Sequence, residues 1–217
     1  MKVPVFNALL DLLFPPKCPF CRVFLEKGDF ICPDCQRDLP WLAGAAGESK
    51  VEFAKDCVSA LRYEGNVRKA VHRYKFRGIR AYSKVFGALT AQAVGDHGLS
   101  ADLVSWPSLS KKRLRERGYD QGELLAREVG KALGLPVIRT VDKSHRPPQS
   151  GIEDAAGRRA NVLGAYTALE PERFRDKTVL LVDDVVTSGA TLAECARVLR
   201  TAGAKQVVCA TLAKAGR

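Results

Sequence analysis

The chain predicts an α/β protein, a largely parallel sheet flanked by helices, with a small cysteine-rich ribbon at its N-terminus. Three observations carry that reading. Short strand-like runs alternate with helical patterns from about residue 58 to the end, as they do in sheets built from strand–helix–strand units. One run, Val179-Leu180-Leu181-Val182, is wholly apolar, as a strand buried on both faces must be. Two Cys-x-x-Cys pairs lie upstream of all of these elements.

Taken in order, Phe6, Leu9, Leu10 and Leu13 predict a short amphipathic helix that Pro15-Pro16 ends. Cys18-Pro19-Phe20-Cys21 and Cys32-Pro33-Asp34-Cys35 follow, with ten residues between them. Four thiolates on two tight knuckles close a tetrahedral site with no open position, which suits a structural Zn²⁺. Gly28-Asp29 at mid-spacer suits a hairpin turn. A redox role would need one such pair within a thioredoxin-like unit, and none is present. Residues 36–56 read as a polar connector with Trp41 as an anchor, which divides the chain into residues 1–56 and 57–217.

Val58 to Tyr63 alternates like a strand. A helix opening at Gly65-Asn66 carries Val67, Ala70, Val71 and Tyr74 as its apolar stripe. Arg68, Lys69, His72, Arg73 and Lys75 fall off that stripe, so a basic exposed side is expected, with Gly78 as the stop. A further helix spans roughly 82–96, through Phe86, Leu89 and Ala93. Leu103 to Trp106 is the next strand, and Pro107 ends it. Ser108 to Arg117 is expected to be a basic loop. Gly118-Tyr119-Asp120-Gln121 leads into a helix with Leu125, Val129, Ala132 and Leu133 inward and Gly134 beyond its end, and Pro136-Val137-Ile138 starts another strand. Residues 142–161 lack periodicity and read as a mobile loop or lid, with His145 exposed. After Val207 to Leu212, the last strand, the chain ends. Cys57, Cys195 and Cys209 fit buried positions better than ligand positions.

The apolar strand at 179–182 is followed by Asp183 and Asp184, then by Val185-Val186-Thr187-Ser188-Gly189-Ala190-Thr191. Leu192, Cys195, Ala196 and Leu199 then recur at helical spacing. The acids and the small-residue turn therefore sit between a strand end and a helix start, where open α/β sheets bind ligands. Free N–H groups at a helix start, the hydroxyls of Thr187, Ser188 and Thr191, and small residues that admit close approach together suit a phosphate. Carboxylates just upstream reach hydroxyls or a hard cation on the same ligand. The pattern describes a site for a ribose 5-phosphate. Two acids alone would more simply be solvated, with Ser188 capping the helix.

This stretch resembles the ribose-phosphate motif of the type I phosphoribosyltransferases. The resemblance makes Asp183 and Asp184 the ribose pair of a site for phosphoribosyl pyrophosphate (PRPP), with Mg²⁺ accompanying PRPP, and Thr187, Ser188, Gly189, Ala190 and Thr191 its 5-phosphate loop. Ala190 stands where many members have a second glycine. Joined to a four-cysteine ribbon, the domain is similar to the ComF family of competence proteins. Further motifs carry that likeness: Tyr63-Glu64-Gly65, Lys75-Phe76-Arg77-Gly78, Arg113 through Gln121, and Gln149 with Arg158, Arg159 and Asn161. Two departures are Val104-Ser105-Trp106-Pro107, where a Val-Pro-Val-Pro-like end is usual before the pyrophosphate loop, and Arg146, where threonine is usual. The family implies natural transformation, handling of incoming single-stranded DNA, and partners in recombination or replication restart.

Charge bears on the choice of function. The net charge is +11, with seven Lys/Arg against Glu64 in residues 61–80 and five against Glu116 in residues 111–117, so these two segments carry nearly all of it. Such concentration suits a polyanionic partner. Arg73, Lys75, Arg77, Lys112, Arg113, Arg115 and Arg117 are candidates for nucleic acid or pyrophosphate, and Tyr63, Tyr74, Phe76 and Tyr119 for stacking on bases. The alternative is an active phosphoribosyltransferase acting on an unknown acceptor, with Asp183 and Asp184 orienting the ribose. No apolar run approaches the roughly 20 residues of a membrane span. Asp11 breaks the apolar N-terminus and Pro15-Pro16-Lys17 is no cleavage site, so no secretory leader and a cytoplasmic location are expected.

Overall fold

The computed structural model describes residues 15–26, 28–143 and 163–216. The helix expected at 6–13, His145, Arg146, Gln149, Arg158, Arg159, Asn161 and all of the 142–161 segment beyond Lys143 lie outside the described residues.

Four parallel strands form the main sheet: β1 (Cys57–Arg62), β2 (Leu103–Ser105), β5 (Thr178–Val186) and β6 (Gln206–Lys214), in the order β1-β6-β5-β2. Register is fixed by pairs such as Cys57 with Cys209, Thr178 with Gln206, and Leu103 with Val179. The expected strand at 136–138 shrinks to one parallel bridge, Val137 to Val104, since Pro136 lacks an N–H. A separate hairpin pairs β3 (Val141–Lys143) with β4 (Tyr166–Ala168).

Between β1 and β2 run α2 (Gly65–Phe76) and α3 (Tyr82–Asp96); α1 is the short ribbon helix Pro33–Asp38. The stripe Val67, Ala70, Val71 and Tyr74 is buried as its spacing predicts. The basic loop expected at 108–117 is a loop only through Ser110: α4 spans Lys111–Arg117. Ser110 caps it by accepting from the Arg113 N–H, and Gly118 closes it at φ +73°, a conformation glycine adopts freely. The Lys/Arg-rich run between these caps is made of good helix formers. In α5 (Gln121–Leu133) Leu125, Ala126, Val129 and Gly130 face inward, whereas Ala132, expected inside, is exposed. α6 (Ala190–Thr201) follows β5 and buries Leu192, Cys195, Ala196 and Leu199. One core lies between the sheet and α2, α3 and α5, and another beneath α6 and the β3–β4 hairpin. Cys57, Cys195 and Cys209 are all buried in the second.

The ribbon is not a separate globule. Phe20 is buried against Phe86 of α3, ring centroids 5.9 Å apart, within the first core. The connector then runs antiparallel to β1: Leu42 donates its N–H to the Ala60 carbonyl, and Ser49 to that of Cys57. It covers the β1 edge, which would otherwise offer a row of unpaired backbone groups.

His97 pins the same connector to α3. Its Nδ1 faces the Ala93 carbonyl at 2.8 Å and Nε2 the Gly44 carbonyl at 3.0 Å. Two carbonyl partners require both ring nitrogens to donate, so the imidazolium is favoured. The hydrogen bond to Gly44 raises the pKa above the ordinary histidine value, against partial desolvation. That stabilisation is complete below the unfolded pKa of about 6.5 and is lost as pH rises through the folded pKa. Thermal unfolding should fall by on the order of 1–2 °C between pH 6 and pH 8 from this group, and His97→Phe should remove that part of the dependence. An unchanged pH slope in the variant would show that His97 is neutral throughout.

Candidate functional site

The carboxyl ends of the four parallel strands share one edge, and the candidate residues gather there. β5 runs through Val186, so Asp183 and Asp184 lie among its last residues rather than after its end. Successive strand residues point to opposite faces, which sends the two carboxylates in different directions. Asp184 is 3% exposed and faces α2, where Lys75 Nζ lies 2.6 Å from its Oδ1. Its Oδ2 is buried and has no hydrogen-bond partner. Burial opposes the Lys75 ammonium, but Asp184 and Asp183 outweigh it and hold its pKa above the usual lysine value. Asp183 accepts the Asp184 N–H at Oδ1, 2.8 Å away. Desolvation and the charge on Asp184 push Asp183 up to about 7, against the pull of Lys75.

The turn Thr187–Gly189 leads directly into α6. Gly189, not Ser188, is the N-cap residue; at φ +74° it holds a left-handed conformation, and a Cβ there would meet Val51 Cγ2 at 3.3 Å. Ser188 Oγ instead accepts weakly from the Ala190 N–H, at 3.4 Å. Ala190 sits inside the first turn of the helix, where no positive φ is needed, so alanine suffices in place of a second glycine. The small side chains leave the amides at the start of α6 approachable. Beside the turn opens a cleft of about 630 Å³, walled by Val186–Gly189 with Ser49, Lys50, Arg62 and Lys214.

The loop after β2 approaches from the other side. Trp106 is buried, and its Nε1 donates to Asp120 Oδ2 at 3.2 Å; the same oxygen accepts the Leu109 N–H at 3.1 Å. Asp120 Oδ1 meanwhile caps α5 by accepting from Gly122 and Glu123. Asp120 thus locks the loop to the helix and gives Trp106 a specific place at its base. Lys143, which sequence reasoning did not single out, belongs here as well. Its N–H donates to Ser108 Oγ, and its ammonium lies 5.1 Å from the Tyr166 ring centre. Burial and the Arg113 charge press its pKa below the usual lysine value, with Asp183 among the groups that oppose them. No nearby motif pointed to this residue; its position comes from the β3–β4 hairpin.

The basic candidates separate into two groups. Arg73 and Lys75 are not on an exposed basic side of α2. Arg73 donates from Nη2 to the carbonyls of Pro19 and Phe20, at 2.7 and 2.9 Å, and so fastens the ribbon, while Lys75 is turned onto Asp184. Arg77, Lys112, Arg113 and Arg115 are exposed, and Arg117 is half-buried. Phe76, at 61% exposure, projects into solvent, with the His72 ring centre 4.8 Å away and the Arg117 guanidinium 4.9 Å from its own. Tyr74 is core, its hydroxyl donating to the Gln121 carbonyl, and Tyr119 donates to the Tyr74 carbonyl.

At the ribbon, the Sγ atoms of Cys18, Cys21, Cys32 and Cys35 all lie within 4.8 Å of one another, with Cys21 and Cys32 at 3.4 Å. Tetrahedral zinc with bonds of about 2.3 Å needs sulfurs roughly 3.8 Å apart, so only small shifts separate this cluster from a closed site. Burial works against the Cys18 thiolate, yet backbone N–H groups of Cys21, Cys32 and Phe20 bring its pKa down to about 7. The first knuckle turns through Arg22 at φ +75°, and the second opens α1 at Cys32. This donor set and spacing fit zinc.

A four-cysteine ribbon seated on a parallel α/β sheet, with paired acids and a small-residue turn at the strand ends, is a zinc-ribbon protein of phosphoribosyltransferase fold. Residues 9–48 match the double zinc ribbon domain, and residues 116–217 the phosphoribosyl transferase domain. The chain is 29% identical to Competence protein F of Haemophilus influenzae, over 92% of this chain and 97% of that one. It is 27% identical to the DNA utilization protein YhgH of Salmonella typhimurium, over 90% and 84% respectively. Among solved structures, the allosteric regulatory enzyme of purine biosynthesis aligns at 23% identity and a TM-score of 0.40, over 61% of this chain and only 25% of that one. The chain is thus similar to competence and DNA-utilization proteins over most of its length, and a double zinc ribbon with a four-cysteine cluster supports a structural zinc. No helix among the described residues is long and apolar enough to cross a membrane.

Proposed function

We propose that the protein handles single-stranded DNA in the cytoplasm during natural transformation and holds PRPP or a nucleotide at the ends of β5 and β2. The observation that carries this reading is the closeness of two features on one helix end. Lys75 reaches the buried Asp184, and the next residue, Phe76, projects into solvent beside Arg117, with Arg77 exposed next to it in the chain. An exposed ring with a guanidinium beside it and further exposed cations nearby in sequence suits bases that stack and phosphates that pair, without sequence preference. In this reading Thr187 to Thr191 receive the 5-phosphate, and Asp183 and Asp184 are the acids assigned to the sugar hydroxyls. Mg²⁺ arrives with PRPP, and recombination or replication-restart proteins are the partners that the family suggests.

The test has two arms. Calorimetric titration of Mg²⁺-PRPP should give saturable binding that Asp183→Asn with Asp184→Asn abolishes. A labelled oligothymidylate should bind with an affinity that falls steeply with salt. Phe76→Ala with Arg117→Gln should weaken it by about tenfold and flatten the salt slope by roughly one unit. Unaltered DNA binding in that variant would move the DNA surface elsewhere.

A second reading, an active phosphoribosyltransferase, is favoured by Lys143, which feels both Arg113 and Asp183, the two cations being suited to a leaving pyrophosphate. In that reaction the acceptor displaces pyrophosphate through an oxocarbenium-like state while the acids hold the ribose. Pyrophosphate release from PRPP, dependent on Lys143, would favour this reading over simple binding.

A further inference from the structure

α2 touches three places in its last turns. Arg73 holds two ribbon carbonyls, Tyr74 holds the start of α5, and Phe76 and Arg77 form part of the proposed DNA surface. The backbone here is therefore pinned, and the long side chain of Lys75 is the part that is free to change partner. Among the described residues Lys75 is the one ion-pair partner of Asp184, and Asp184 Oδ2 waits buried without any. The Lys75 side chain keeps 24% exposure, so it has a way out. Sugar hydroxyls, or a cation carried in with a pyrophosphate, bind the same carboxylate that Lys75 now occupies. The ammonium and such a ligand compete for one group.

We propose that Lys75 couples the two sites: filling the sugar-phosphate pocket releases its ammonium from Asp184, and the released charge joins Arg77 and Arg117 to tighten the grip on single-stranded DNA. The inference rests on the reading above, that both ligands bind. A lysine carries its charge on a flexible four-carbon stem, which a swing from the strand end to the helix surface requires. The gain is one phosphate contact, expected to steepen the salt slope by about one unit and to raise affinity roughly five- to tenfold. Linkage demands that DNA tighten PRPP by the same factor.

The experiment measures anisotropy of a labelled oligothymidylate across a salt series, with Mg²⁺ alone and with saturating Mg²⁺-PRPP. The wild-type protein should show both the tightening and the steeper slope only with PRPP. Lys75→Met should still bind the oligonucleotide but show neither effect, while Lys75→Arg, which keeps the charge, should retain part of them and controls for folding. Equal affinity and slope with and without PRPP, or the same gain in Lys75→Met, would overturn the coupling. Failure of the underlying reading looks different: no heat with Mg²⁺-PRPP alone, or no anisotropy change with oligonucleotide alone, removes one site and the coupling with it.

Discussion

Cys32→Ser is expected to strip the protein of its metal and lower its unfolding temperature by roughly 10 °C. Zinc in a ribbon of this size is worth about 10–16 kcal/mol of binding free energy that also folds the ribbon, because so short a segment has no adequate core of its own. The damage then passes into the main domain. Phe20, Ile31, Cys35 and Leu39 are buried in the core that includes Tyr74 and Phe86, and Arg73 is bonded to the first knuckle. A melted ribbon uncovers Phe86 and frees the guanidinium beneath it. Exposing one large side chain costs about 2–3 kcal/mol, and each kcal/mol moves the transition by about 2–4 °C at this chain length. Metal analysis should fall from about one equivalent to near zero, and scanning calorimetry should give the shift. Cys195→Ala, a buried cysteine far from the ribbon, should keep its zinc. A zinc-free Cys32→Ser protein that melts as the wild type does would mean that the ribbon contributes nothing to the main core.

Much of this arrangement was legible in the sequence because it depends on local periodicity. The stripe Val67, Ala70, Val71 and Tyr74 is buried, and the Asp183 to Thr191 stretch lies at a strand end and helix start, since both patterns are written over a few consecutive residues. What was not legible depends on direction and on distant partners. α4 hid because its apolar content is one leucine and its caps are what define it: Ser110 at one end and Gly118 at the other. Composition counts Arg73 and Lys75 as surface charge. Whether they face solvent is set by the seating of α2 between the ribbon and β5, and no local pattern records that. Lys143 and His97 likewise acquire their roles from residues 35 and 53 positions away, Ser108 and Gly44. Trp106 is a departure whose accommodation depends on Asp120, 14 residues away, which also caps α5, and no local pattern couples the two.

Asp184→Ala should be the most damaging single change at the candidate site. It leaves the Lys75 ammonium in a largely buried position without its ion-pair partner, with only the more distant Asp183 to offset it, and breaking a buried pair from one side costs about 3–5 kcal/mol. Lys75 keeps a route to solvent, so a cost below that range is expected, about 2–3 kcal/mol, or roughly 5–10 °C of unfolding temperature. Removing both charges at once should restore stability: Lys75→Met with Asp184→Leu fills the same space and strands no ion. Asp183→Asn should behave in the opposite way. Its carboxyl is pushed up to about 7 by desolvation and by Asp184, so it lowers stability as pH rises from its unfolded pKa toward the folded one, and the neutral amide removes that loss. At pH 8 this variant should melt at or above the wild-type temperature. On the proposed function all three proteins should nevertheless lose Mg²⁺-PRPP binding, because each lacks one of the two acids assigned to the sugar. Unfolding curves and calorimetric titrations on the same preparations separate the two effects. A double variant as unstable as Asp184→Ala would mean that the carboxylate holds β5 in place by itself, and that the ion pair with Lys75 is incidental to the fold.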